Sequence, residues 1–83
     1  MNVSITVTQD DIDHGVPGDD CFCPVALAAK RVLPAKNWKI GAVDLYSQFM
    51  EPVTRLPRAA QDFIGRFDNA LPVEPFSFDL DMP

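Results

Sequence analysis

Eighty-three residues with a hydrophobic share of 47% and a charged share of 23% make one domain, residues 1–83, and exclude both a second domain and wholesale disorder. A chain of this size buries only about 60% of its unfolded surface, so a staple, a metal or a partner would add much to its stability. The net charge of −5 argues against direct nucleic-acid binding, which needs concentrated positive potential.

The charge is unevenly spread. Residues 1–23 carry five aspartates and no base, residues 24–66 hold all seven bases and sum to +4, and residues 67–83 return to −4. Two acidic ends that meet on one face would offer a negative surface to a basic partner. The start of the chain alternates and lacks the basic and apolar regions of a signal peptide. No run approaches the roughly 18 apolar residues that span a bilayer. The expectation is a cytoplasmic protein with no membrane contact, whose cysteines stay reduced.

Val3, Ile5 and Val7 alternate with Ser4, Thr6 and Thr8, the period-2 pattern of a strand. Thr8 then precedes Asp10 and Asp11, which suits the N-cap and first turn of a short helix ended by Gly15. Residues 14–20 form a loop by composition. Pro24 at a first helical position places Cys23 at the N-cap. Val25, Ala28, Ala29, Val32 and Leu33 then share one helical face, Lys30 and Arg31 complement the last turn, and Pro34 stops the helix. Residues 37–43 read as a second strand and 44–50 as a third, with Pro52 at a sheet edge or in a loop. A further helix starts at Pro57, with Leu56 packed across its first turn. Ala60, Phe63, Ile64 and Phe67 line its apolar face, Arg58–Asp62 and Asp62–Arg66 are potential i,i+4 pairs, and Asn69 caps its end. In residues 73–80, Phe76, Phe78 and Leu80 face one way and Ser77 and Asp79 the other. The order is β-α-β-β-α-β with a short extra helix after the first strand. The fold class is α+β: a single small sheet of three or four strands with two helices packed on one face.

Chemistry-bearing residues cluster around the first long helix. A thiol at a helix N-terminus is favoured as thiolate, so an exposed Cys23 would be reactive, whereas a buried one would only cap and pack. Cys21 and Cys23 are not spaced as a thioredoxin-like pair, and a disulfide between them would be strained. With His14, and one of Asp13, Asp19 or Asp20 as a fourth ligand, they make a weak zinc set, because structural sites draw pairs from two separated places. No catalytic motif appears, so an enzyme and a cofactor are not expected. The basic residues Lys30, Arg31, Lys36 and Lys39 with Trp38 have the composition of a single-strand nucleic-acid groove, but helix capping by Lys30 and Arg31 and a core tryptophan explain them better.

Residues 23–28 (Cys-Pro-Val-Ala-Leu-Ala), residues 56–68 from Leu56-Pro57-Arg58 onward, and residues 73–80 around Pro75-Phe76-Ser77-Phe78 resemble a group of small bacteriophage- and prophage-encoded proteins. Ile5-Thr6-Val7-Thr8 with Asp11-Ile12 fits their start, whereas residues 36–52 depart from them. That group has no assigned activity, so no catalytic residue carries over. The resemblance implies a viral accessory product that binds a host or phage protein in the host cytoplasm, including components of bacterial immunity. Its contact surface would be Asp10, Asp11, Asp13, Asp19 and Asp20 with Asp79 and Asp81. A zinc or thiol module on Cys21, Cys23 and His14 is the second reading, and a virion or assembly component the third.

Overall fold

A computed structural model of the chain describes residues 2–33, 38–47 and 49–82. Its elements are β1 (Asn2–Val7), α1 (Gln9–His14), α2 (Pro24–Val32), β2 (Lys39–Ile40), β3 (Asp44–Tyr46), β4 (Pro52–Arg55), α3 (Arg58–Asp68) and β5 (Phe76–Asp81). The α+β class holds. The expected roles of Pro34, Lys36, Asn37 and Gln48 fall outside the described residues.

The strands do not form one sheet. β1 and β5 pair antiparallel as a two-stranded sheet, and β2, β3 and β4 form a separate antiparallel meander. The difference has a local cause. The expected second strand is cut to two residues because Gly41 N donates to Asp44 O at 2.9 Å, turning the chain at Ala42 and Val43. Gly41 is held close under Tyr46: a Cβ at Gly41 would lie 2.7 Å from the Tyr46 ring. Pro52 opens β4 on the edge of the meander, a position that needs no donor. Short strands joined by tight turns satisfy one another and leave β1 to pair with β5.

β1 and β5 run in full register from Asn2 opposite Asp81 to Val7 opposite Phe76. Ile5, Val7, Phe78 and Leu80 point inward and are buried, while Ser4, Thr6, Ser77 and Asp79 form an exposed polar face. On that face the Thr6 and Ser77 hydroxyls lie 3.0 Å apart. The inner residues join a single apolar interior with Val25, Ala28, Ala29 and Leu33 of the α2 stretch, Ile40 and Leu45 of the meander, and Ala60, Phe63 and Ile64 of α3. Alanines on α2 permit its close approach to β1. Val32, expected on the same face, is 45% exposed, since it is the last helical residue and only the extended backbone at Leu33 turns the chain back inward. Phe63 stacks on Phe76 at 4.9 Å between ring centres, and Phe76 on Phe78 at 5.4 Å, which docks α3 against β5. Among the described residues, neither Arg58–Asp62 nor Asp62–Arg66 closes as an ion pair. No described helix is long and apolar enough to cross a membrane.

One acidic side chain departs from its expected place outside. Asp11 is 3% exposed. It completes a capping box in which Asp11 N donates to the Thr8 hydroxyl at 3.2 Å and Thr8 N to Asp11 Oδ2 at 2.9 Å. Both carboxylate oxygens also accept from the Arg31 guanidinium, the second at 2.7 Å, and Arg31 reaches the Thr6 carbonyl at 3.0 Å. Three elements, β1, α1 and α2, are thereby tied at one point.

The Arg31 hydrogen bonds, with those of Thr8, outweigh burial and hold the Asp11 carboxyl below its ordinary value of 3.8. A lowered native pKa contributes stability at higher pH, and that stability is lost as pH falls through 3.8 toward the lower native value. Asp11→Asn is expected to lower unfolding free energy by about 2 kcal/mol near neutrality. The half-exposed Arg31 keeps that loss below the buried-pair range. Denaturant titrations across acidic pH check both the loss and its pH dependence, which should flatten in the variant.

Candidate functional site

The approach to α2 is a tightly constrained loop. Gly15 passes so close to the helix start that a Cβ there would lie 2.5 Å from Pro24 Cγ. Gly18 adopts a φ of 71°, the left-handed region that glycine enters freely. The Asp19 carboxylate then accepts from Cys21 N at 2.8 Å and Phe22 N at 3.0 Å through its Oδ1, and its carbonyl accepts from Cys23 N at 3.1 Å. Two further bonds fasten the loop to the body: Ile40 N donates to the Asp20 carbonyl at 2.8 Å, and Gly18 N to Asp68 Oδ1 at 2.8 Å.

These bonds gather Asp19 and Asp20 from the loop with Asp68 from the end of α3. The three residues border a hollow of about 240 Å³ whose other walls are Gly18, Cys23, Ile40, Gly41, Ala42 and Ile64. Asp68 was not among the expected contact residues. Its signal in the sequence was its position, because an acid in the last turn of a helix opposes the helix dipole.

Cys23 caps α2 as expected, with Ala26 N donating to its sulfur at 3.4 Å. Of the two readings of Cys23, the buried cap is the one found. Cys23 is 5% exposed, and burial pushes its pKa up to about 11, with the Asp68 and Asp19 charges acting in the same direction. The N–H groups of the helix start act the other way, but desolvation of the sulfur outweighs them. Cys21 is also raised above its usual value, first by its hydrogen bond to the Asp20 carboxylate. Both thiols are free.

The zinc set is not assembled. His14 is exposed, its Nδ1 2.9 Å from the Asp10 carbonyl, which raises its pKa. Among the described residues, the group close enough to share an ion is Asp19, Asp20 and Cys21, with ligand atoms within 4.8 Å of one another. Neither His14 nor Cys23 belongs to it.

The expected acidic contact face divides. Asp11 is committed to Arg31 and leaves it. Asp10 and Asp13 are exposed on α1, Asp13 accepting from Gln9 Nε2 at 2.9 Å. Asp79 and Asp81 pair opposite Ser4 and Asn2, so Asp79 lies three strand steps, about 10 Å, from the end of β1 that leads to α1. The two acidic segments therefore flank opposite ends of β1, while Asp19 and Asp20 converge with Asp68 instead.

The basic cluster turns inward. Lys30 donates to the Cys21 carbonyl and lies 4.6 Å from the centre of the Phe22 ring, and Arg31 is held by Asp11. Trp38 packs against the apolar interior with its indole nitrogen buried and without a described partner. Two of the cations and the aromatic of the proposed nucleic-acid groove are thus used by the fold.

Thiol labelling of the folded protein should modify Cys21 and spare Cys23 until the chain unfolds. Mass analysis of alkylated peptides checks this, and rapid modification of Cys23 under native conditions would contradict the buried cap. No protein-family model matches this chain, and no curated protein or solved structure is significantly similar to it.

Proposed function

We propose that the chain is a non-enzymatic interaction protein that engages a basic partner protein through the carboxylates around the 18–23 loop and the end of α3. The observation that carries this reading is the convergence of Asp19, Asp20 and Asp68, whose three negative charges exceed those of the cations acting at the loop, Lys30 and Lys39. A net negative potential favours an oppositely charged surface and speeds its encounter. Both thiols are held toward the protonated form, which is the reverse of what nucleophilic catalysis uses. In the setting that the phage-protein resemblance suggests, the partner is a host protein, and inhibition of a host defence component is the role this surface would serve.

Immobilised protein incubated with host lysate at low salt is expected to retain a partner that a variant carrying Asn at positions 10, 13, 20 and 68 loses while its circular dichroism is unchanged. Retention is also expected to fall steeply toward about 0.5 M salt, where charge is screened within a few ångströms. Equal retention by the variant, or retention indifferent to salt, would overturn the acidic-surface reading.

A further inference from the structure

We infer that the outer edge of β1 pairs with the same edge of a second copy of this chain, giving a symmetric dimer with a continuous sheet ordered β5-β1-β1-β5. This pairing is independent of the basic partner proposed above and uses a different surface.

Two contacts give the direction of the β1 backbone groups. The Thr6 carbonyl accepts from Arg31 at 3.0 Å, so it points away from β5. The Thr6 and Ser77 hydroxyls lie 3.0 Å apart, which suits the closely spaced pairs of an antiparallel ladder, whose N–H and C=O groups face outward. By alternation Asn2 and Ser4 also turn their backbone groups outward, while Val3, Ile5 and Val7 bond to β5. Arg31 takes up the Thr6 carbonyl, but among the described residues nothing hydrogen-bonds to the backbone of Asn2 or Ser4. Natural edges are blunted by a charge, a proline or a bulge. β1 has none of these from Asn2 to Val7.

An extended strand meets donors and acceptors at this spacing, and the edge is complementary to itself. A two-fold axis at Val3 sets Asn2 of each copy opposite Ser4 of the other, where their N–H and C=O groups bond reciprocally. That register keeps polar residues on the outer face. Val3 points inward but is only partly buried at the border of the core, and the axis covers it with Val3 of the second copy. A sheet of two strands is marginal by itself, and the pairing doubles it.

Charge permits this pairing and opposes the alternatives. β1 carries no ionisable side chain, so it offers nothing to attract a basic strand. The far edge, on β5, would set Asp79 and Asp81 against their copies, and β4 already lies against that strand. In the β1 dimer the acidic α1 helices sit at opposite ends, about 30 Å apart, and the two β5 strands about 14 Å apart. Both separations exceed the roughly 8 Å over which charge acts at physiological salt. The net charge of −5 on each chain therefore opposes the contact only weakly.

The test is sedimentation of the full chain from about 10 μM to about 1 mM, a range suited to a small interface, with amide exchange followed by NMR. The mass is expected to rise toward twice 9.2 kDa. Exchange of the Ser4 amide should slow about tenfold over the same range, while Ser77 and Asp79 are unaffected. Ser4→Pro removes an outward donor without touching the bonds to β5, and should hold the chain monomeric. Asn2→Pro does the same at the first residue of the strand, where proline is tolerated, and guards against loss of fold in the Ser4 variant. A mass that stays at 9.2 kDa, a dimer indifferent to Asn2→Pro, or Ser4 exchange indifferent to concentration would overturn the pairing. Slowed exchange at Ser77 and Asp79 instead would move the contact to β5 and overturn it equally.

Discussion

The fold turns on the bond between Asp11 and Arg31. A carboxylate removed from water would be costly if it stood alone, but here it accepts from a guanidinium fork and from the Thr8 backbone N–H of its own capping box. Its position is dictated by Thr8, three residues earlier, and the position of Arg31 by the last turn of α2. Because Arg31 also reaches the Thr6 carbonyl, the end of β1 cannot move without α2 following. With α2 so placed, its alanine face closes the interior and its capped start is delivered to the Gly15 crossing. That delivery is what orders the aspartate loop.

Local features of the sequence were readable because each has a local cause. Pro24 identified Cys23 as the N-cap, the alternation at Val3, Ile5 and Val7 marked β1, and the spacing of Ala60, Phe63 and Ile64 gave the buried face of α3; all three hold. Features that depend on two distant segments were not readable. Asp11 sits in a run of aspartates that looks solvated, and nothing local reveals that Arg31 lies beside it. The division into two sheets was hidden for the same reason. Alternation shows which side of a strand is apolar, but does not name the strand that it pairs with.

The candidate site shows the same division. Asp19 and Asp20 were visible as part of an acidic loop, but their meeting with Asp68 depends on Gly18 N bonding across to the end of α3. The thiol at Cys23 was correctly placed at the cap, and its burial decided between the two readings of it. Helix termini act on a sulfur through the field of their N–H groups, yet burial in an apolar wall weighs more. A cap residue read from sequence therefore fixes geometry before it fixes reactivity.

The pairing of β1 with β5 has a kinetic meaning. Thr6 and Ser77, which touch across it, are 71 positions apart, and closing so long a loop costs about 4 kcal/mol in chain entropy before any contact repays it. The meander and the helices need only near neighbours, so they can gather early. The two-stranded sheet must wait for its second strand to emerge, and until then the hydrogen-bonding edge of β1 has no partner even where α2 covers its apolar face. During synthesis the nascent chain would carry an unpaired strand edge for most of its time on the ribosome, the interval in which a chaperone or a stray strand has its best chance to bind.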